Sequence, residues 1–481
     1  MDQLGDVGAD APIARVAVPE GSPEASLVAE ALSRGGLAAD FVRDGESFSL
    51  EFKDAGRHLH VMPLTHLDAR FGRLLADLAD KHVGIEVTGV LEAGSLAVGD
   101  VSALRRIPQG ESLRPMSPNL LATMVRRLRT ARPQPRREER PQPAPLSFSR
   151  PEEAAEFLSC MEDTLPANVR DWAYQNLALA RDGTAGKDEK RHAMRALSLM
   201  MAVQWQDAYF EHVDPREARR VLDEELYGLD VVKQRVVETV IQINRTHALP
   251  FYGLLLVGPP GTGKSRVAYA VARILRLPWA VLDMSSIRDP SALTGSPRIY
   301  SNAMPGRIME SFVRAGGSNL VFVVNELDKA NDASASGSAA DALLTLFDNL
   351  GFTDNYVECQ IPTGGVYPIA TANDLSRISG PLLSRFSVIR IDDYSPEEKR
   401  VIFTDYALPK VLGHLGMRAG ELELTEGAVD RVVSRFEGTP GCRELEQAAE
   451  HLAAHALYEL EVTGAPSVRL DEDDVRRLLA T

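Results

Sequence analysis

The clearest chemistry in this chain is carried by Gly258-Pro259-Pro260-Gly261-Thr262-Gly263-Lys264-Ser265. Glycines at this spacing let successive backbone N–H groups turn inward on phosphate oxygens, the lysine reaches the β and γ oxygens, and the serine hydroxyl suits Mg²⁺. An apolar run, Leu254 to Val257, precedes the loop and a helical pattern follows from Arg266, the order in which strand, loop and helix N-terminus cradle a nucleotide. Further along, Leu320-Val321-Phe322-Val323-Val324 reads as a strand buried on both faces of a parallel sheet. It ends in Asn325-Glu326-Leu327-Asp328-Lys329, where carboxylates hold a metal shell and polarise an attacking water. The short strand Tyr367 to Ala370 leads to Thr371-Ala372-Asn373, a polar end suited to orienting that water. Arg385, in Pro381-Leu382-Leu383-Ser384-Arg385-Phe386, stands just before the run Val388 to Ile391. An arginine there suits charge stabilisation of phosphoryl transfer, usually across a subunit boundary.

From about Val221 to Thr481 these segments resemble the AAA+ ATPases and, within them, the ATPase module of Lon-type proteases. The resemblance begins at Asp223-Glu224-Glu225-Leu226-Tyr227-Gly228-Leu229-Asp230 and is especially close over Arg298-Ile299-Tyr300-Ser301-Asn302-Ala303-Met304-Pro305-Gly306-Arg307-Ile308. It implies ATP binding by Gly258, Pro259, Pro260, Gly261, Thr262, Gly263, Lys264 and Ser265, with Mg²⁺ on Ser265 and, through water, on Asn325. It further implies Glu326 as catalytic carboxylate, Asn373 as sensor 1, Arg385 as arginine finger, Arg443 in Gly441-Cys442-Arg443 as sensor 2 at the nucleotide, and Tyr300 as the substrate-gripping aromatic of a pore loop. Because the finger acts in trans, the resemblance implies a homo-oligomer, a hexamer, that hydrolyses ATP to remodel or thread a protein substrate.

The chain departs from the Lon pattern in three places. Position 325, an aspartate in the family, is asparagine, which keeps an acceptor oxygen and the shape but removes a negative charge beside Mg²⁺. An ATP-gated oligomeric scaffold or switch with weak hydrolysis is therefore the alternative reading. Ser301 follows the loop aromatic where an apolar residue is usual. The chain reaches Thr481 just after the lid pattern, so it is not expected to cleave peptide bonds by itself, and docking of a separate peptidase stays open.

The fold class expected is α/β: an AAA+ P-loop parallel-sheet domain with a C-terminal helical lid, preceded by a helical segment and a small N-terminal α/β domain. The divisions fall at 1–115 (small α/β accessory domain), 116–150 (Arg/Pro-rich linker), 151–220 (helical segment), 221–394 (nucleotide-binding domain) and 395–481 (lid). In the first, β-rich runs occur at Ala14–Val18, Phe48–Phe52, Leu59–Met62 and Ile85–Leu91, with helical patterns at Glu24–Ser33 and Leu67–Lys81. His58, His60 and His66 invite a metal reading, but no cysteine or clear carboxylate partner completes a site, and strand histidines is the reading preferred. Glu152–Asp163, Val169–Arg181 and Lys187–His212 read as helices carrying an aromatic load of Trp172, Tyr174, Trp205, Tyr209 and Phe210. In the lid, Ser395-Pro396-Glu397-Glu398 is a capping box opening a helix to about Leu412, Thr425 caps the next, and Arg443 opens a third over Glu444 to Glu459.

With 481 residues, 44% hydrophobic and 25% charged, the composition is that of an ordinary globular chain of about three domains. No segment approaches about 18 uninterrupted apolar residues, and Met1-Asp2-Gln3 does not open like a signal peptide; the expectation is a cytoplasmic protein with no membrane partner. Cys160, Cys359 and Cys442 are too widely spaced for a metal or disulfide framework. The net charge of −15 argues against a chain-wide nucleic-acid footprint. Arg126, Arg127, Arg129, Arg132, Arg136, Arg137 and Arg140, interleaved with prolines, read as a solvated stiff linker. A docking arm for an acidic partner or nucleic acid, and with it a DNA-associated AAA+ motor, is the minority reading.

Overall fold

A computed structural model describes residues 11–104, 116–129, 146–205, 210, 212–287, 289–330, 338–348, 351–418 and 420–479. The chain divides into two compact units, one of Met1–Gln206, Gly295–Ser318 and Thr353–Ile361, the other of Asp207–Thr294, Asn319–Phe352 and Pro362–Thr481.

In the first unit six strands, β1 (Ala14–Ala17), β2 (Leu37–Asp44), β3 (Ser47–Lys53), β4 (Leu59–Leu67), β5 (Gly84–Glu92) and β6 (Ser95–Ala103), close into a barrel in the order β1-β4-β3-β2-β5-β6. The pairing is antiparallel and β6 returns to β1. Two helices accompany it, α1 (Pro23–Ser33) and α2 (Gly72–Asp80). The expected small α/β domain is thus a closed barrel, and β2 and β6 are the strands that the apolar runs do not reveal. Both are interrupted by Asp and small residues, and they become strands because each finds partners on both sides. Closure removes the exposed edges that an open sheet would leave. Leu37, Ala39 and Phe41 alternate into the core while Asp40 does not.

The histidines do have carboxylate neighbours, contrary to the sequence reading. His60 Nδ1 lies 3.0 Å from Glu24 Oε1 and His58 Nδ1 lies 3.2 Å from Asp54 Oδ2. Among the described residues no group of three or more His, Cys, Asp or Glu side chains is placed to hold a metal ion.

The stretch expected to be linker begins as a helix, α3 (Pro118–Arg129). The reason is an apolar stripe, Leu120, Leu121, Met124, Val125 and Leu128, all buried. Arg127 is not a solvated linker arginine: its guanidinium sits 5.3 Å from the Phe157 ring centroid and its Nη1 donates to Val203 O at 3.4 Å. Burial pushes its pKa down to about 10. Arg132, Arg136, Arg137 and Arg140 lie outside the described residues, as does Tyr209.

Helices α4 (Pro151–Met161), α5 (Ala167–Arg181) and α6 (Lys187–Ala202) follow. The last stops ten residues before the expected His212, because Val203 turns extended and Gln204 bonds to the 316–318 backbone instead. Arg298 is the tie between these helices and the 295–306 loop. It donates to Asn176 Oδ1 at 2.7 Å, to Val357 O at 2.7 Å and to Tyr356 O, with its guanidinium 5.9 Å from the Trp172 ring centroid and 5.6 Å from that of Tyr356. Beyond this anchor Ile299, Tyr300 and Met304 are exposed.

The second unit holds a five-stranded parallel sheet of β7 (Gly253–Val257), β8 (Trp279–Asp283), β9 (Leu320–Asn325), β10 (Val366–Ala372) and β11 (Phe386–Arg390), ordered β11-β7-β10-β9-β8. Helices α7 (Pro215–Glu225), α8 (Asp230–Thr246) and α9 (Lys264–Ile274) contribute Leu222, Val236, Val240, Val267 and Val271 to the core around it. The capping box at Ser395 and Glu398 forms as expected, but the helix it opens passes through a π-helical turn at Ile402–Ala407 before Leu408–His414. Thr425 caps Glu426–Arg435, and the long helix Arg443–Thr463 runs four residues past its expected end. Lys399 is buried among these helices and donates to the carbonyls of Phe436, Glu437 and Thr439.

The Glu24–His60 pair makes the barrel's stability depend on pH. Hydrogen bonding to Glu24 raises the His60 pKa, and His60 and His58 lower those of Glu24 and Asp54. The histidine contribution is complete below its unfolded value of about 6.5 and is lost as pH rises through the raised one; the carboxylate contribution is lost as pH falls below about 4. Urea unfolding of the full chain is expected to show stability falling from pH 6 to 8, and His60→Gln to flatten that fall.

Candidate functional site

Because the five strands are parallel and their central members are buried along their length, polar side chains leave the sheet together at its C-terminal edge. The phosphate loop follows β7, Asn325 ends β9 with Glu326 next to it, Asn373 follows β10, and Asp283 ends β8. A cavity of about 340 Å³ at this edge is lined by Pro260, Gly261, Gly263, Lys264, Ser265, Arg266, Asp283, Asn325, Glu326, Thr371, Asn373 and Arg443. A second, of about 480 Å³, shares Gly261, Gly263, Ser265, Arg266 and Arg443 and continues to Tyr227, Leu229, Tyr394, Ile402 and Tyr406.

Within the loop, Gly261 and Gly263 take φ of +78° and +82°, a region closed to most side chains. Thr262 is fully buried and its Oγ1 donates to Pro259 O at 3.0 Å. Lys264 folds back on the loop: Nζ donates to Gly258 O at 2.8 Å, Pro259 O at 2.5 Å and Asn373 Oδ1 at 3.1 Å. Burial pushes its pKa down to about 8, against the opposing pull of Asp328 and Glu326. These acceptors are ones that phosphate oxygens can replace.

Asn325 is a hub rather than a defect. Its Oδ1 accepts from Ser265 Oγ at 3.0 Å and from Thr371 Oγ1 at 3.4 Å, while Thr371 Oγ1 accepts from Glu326 N at 3.2 Å. The amide keeps the geometry a carboxylate would have and drops its charge. Glu326 has φ of +55°, a left-handed conformation rare for a side chain of this kind and common where function requires strain.

The lid reaches the loop through one short segment. Cys442 N donates to Gly261 O at 3.1 Å, Gly441 N donates to Asp393 Oδ1 at 2.7 Å, and Tyr394 Oη donates to Thr262 O at 3.1 Å. Arg443, the first residue of its helix, is thereby presented to both cavities with its side chain exposed.

Lys264, Ser265, Asn325, Glu326, Asn373 and Arg443 are thus brought together, and Arg385 is not. Arg385 precedes β11, whose Phe386 is in register with Gly253 at the start of β7. The loop lies beyond the other end of β7, roughly 13 Å away at about 3.3 Å per residue, further than an arginine side chain reaches. Arg385 instead pairs with Asp348, and its O accepts from Gly253 N at 2.9 Å. Tyr300 belongs to the first unit and is 56% exposed. Sequence reasoning passed over Asp283, whose signal was one acidic residue closing an apolar run. It also passed over the aromatic pocket of Tyr227, Tyr394 and Tyr406, whose members come from three separate segments.

The family signature for the ATPase family associated with various cellular activities (AAA) matches residues 254–393. Residues 254–393 carry the AAA family's pattern, and the chain is similar to Lon proteases over a wider stretch. The chain is 32% identical over 328 residues to a Lon protease of Clostridium beijerinckii, covering 67% of this chain and 41% of that protein. It is 33% identical over 289 residues to Lon protease 1 of Bacillus subtilis, covering 60% and 37%. A Lon protease of Bacillus thuringiensis is 36% identical over 284 residues, covering 58% and 36%. The matched part of the chain therefore spans about two fifths of the length of these curated relatives. Among solved structures, a mutant RuvB of Thermotoga maritima aligns with 18% identity and a TM-score of 0.37 over 53% of this chain and 71% of that one, too distant to add to the reading.

Gly441 is one place where the contact between lid and phosphate loop depends on the absence of a side chain. Its φ is +77°, and a Cβ there would stand 2.3 Å from Pro260 O. Gly441→Ala is expected to cost about 1–3 kcal/mol of stability in chemical denaturation. It should also weaken binding of a fluorescent ATP analogue about tenfold or more, although no side chain that touches the cavities has been removed.

Proposed function

We propose that this chain binds ATP with Mg²⁺ at the loop Gly258–Ser265, hydrolyses it, and works as a cytoplasmic homo-oligomeric ring, a hexamer, that remodels or threads protein substrates. The observation that carries this reading is the convergence of Lys264, Ser265, Asn325, Glu326, Asn373 and Arg443 from four separate segments on one cavity of about 340 Å³. Peptide-bond cleavage is no part of it.

The geometry supports each role in this reading. Lys264 exchanges its three oxygen acceptors for β and γ phosphate oxygens. Ser265 Oγ, and through water Asn325 Oδ1, 3.0 Å from it, would hold Mg²⁺, a hard cation that prefers oxygen; bound there, the ion would neutralise charge building on the phosphates. Glu326 draws the proton of an attacking water, and Asn373 orients that water from the neighbouring strand end. Arg443, at the lid's contact with the loop, couples lid position to the nucleotide. The base of the nucleotide takes the aromatic pocket of Tyr227, Tyr394 and Tyr406. Arg385 cannot serve its own loop, so it serves a neighbouring copy. Tyr300 and its exposed neighbours Ile299 and Met304, on a loop anchored by Arg298, grip an extended polypeptide without reading its sequence.

The second reading, an ATP-gated switch, is favoured by Asn325 alone. Steady-state Mg²⁺-dependent hydrolysis separates the two. Lys264→Ala, Glu326→Gln and Arg385→Ala should each lower turnover about 100-fold or more, and Asn325→Asp should change it less than about threefold. Mixing Lys264→Ala with Arg385→Ala protein should restore part of the activity, since each variant keeps what the other lacks at a shared site. Tight ATP binding without turnover, gained on Asn325→Asp, would establish the switch instead. Tyr300→Ala should abolish unfolding of a tagged substrate while leaving ATP turnover within about threefold.

A further inference from the structure

The second carboxylate at the phosphate edge stands on a different strand from the one the motif designates. Asp283 is the last residue of β8, and its register partner across the parallel pair is Asn325, the last residue of β9. Adjacent strands run about 4.8 Å apart and partners in register face the same side of a sheet, so Asp283 stands beside the amide. Both line the 340 Å³ cavity, whose only lining carboxylates among the described residues are Asp283 and Glu326. Against them stand Lys264, Arg266 and Arg443, so exchanging Asp for Asn at 325 without replacement would leave Glu326 as the one carboxylate lining the cavity on that strand end. Asp283 is also held in place. Its Oδ1 accepts from Ser285 Oγ at 2.7 Å and from Ser285 N at 3.1 Å.

Resting on the ATP and Mg²⁺ reading above, we propose that Asp283 is a positioning residue for the divalent cation of the nucleotide complex, supplying from the neighbouring strand the negative charge that Asn325 does not bring. Mg²⁺ sheds its waters reluctantly, so a carboxylate beside Asn325 acts on the water shell and not as a direct ligand. The charge count at the site is then the same two carboxylates that an Asp-Glu pair on β9 would provide, divided between two strand ends.

The alternative is that Asp283 does no more than cap the short turn Met284–Ser286. Asp283→Asn separates the two, because an asparagine caps as well as an aspartate and removes only the charge. The full chain saturated with ADP is titrated with Mn²⁺ and free Mn²⁺ is read by electron paramagnetic resonance. Asp283→Asn is expected to weaken Mn²⁺ about 10–100-fold, with ADP affinity in EDTA changed less than about threefold. In an Asn325→Asp background the same substitution should cost less than about threefold, the non-additivity expected of two groups sharing one task. Should Asp283→Asn fail to fold, Ser285→Ala loosens the carboxylate's anchor and is expected to weaken Mn²⁺ about three- to tenfold. Unchanged Mn²⁺ affinity in the Asn325 chain overturns the role of Asp283 while leaving nucleotide binding intact. A wild-type chain that takes up no ADP overturns both.

Discussion

A parallel sheet covered on both faces can place polar groups only where its strands end, and everything at the nucleotide edge depends on that restriction. Val321, Val323, Leu255 and Ile369 are excluded from water, and the change from apolar to polar comes within one or two residues at Asn325, Gly258 and Thr371. Parallel register brings those changes to one edge. The side chains there then satisfy one another. Thr371 links Asn325 to the Glu326 backbone, and Lys264 links the loop carbonyls to Asn373. A buried ammonium with three oxygen partners is costly to expose and ready to exchange, which suits a site that must be ordered before its ligand arrives.

The lid depends on the same edge. Backbone of Gly441 and Cys442 lies against Pro260 and Gly261 so closely that a Cβ at 441 has no space, and Lys399 collects three carbonyls from the turn just before it. The contact between loop and lid is made by backbone, which has few alternative arrangements, whereas a contact of long side chains would yield. The π-helical turn at Ile402–Ala407 turns Ile402 and Tyr406 toward the aromatic pocket, in keeping with the frequent placement of such turns at functional sites.

The first unit shows another solution to a similar problem. The 295–306 loop presents Ile299 and Tyr300 to solvent, and apolar side chains so exposed need a rigid stem if they are to stay there. Arg298 supplies it, held by three oxygen acceptors and two aromatic rings. The barrel, helix α3 and helices α4 to α6 share that unit, so residues that read as a linker up to Arg129 are part of a packed body.

The loop, the strand ends and the lid caps were legible from sequence because each is a local pattern: glycine spacing, an apolar run stopping at a polar pair, a capping box. Local patterns report what neighbouring residues in the chain can do. The closure of the barrel through β2 and β6, the burial of Arg127, the early end of α6 and the π turn were not legible, since each arises from partners far off in sequence that override local preference. The candidate site divides in the same way. Sequence by itself determined the chemistry available, a phosphate loop with Lys264 and Ser265, an Asn-Glu pair, a polar Asn373 and an Arg443 opening a helix. Only the tertiary structure decided that Arg385 stands at the far end of β7 from the loop, and that Asp283 stands beside Asn325, because register across a sheet is set by which strands pair, and pairing is a property of the whole fold.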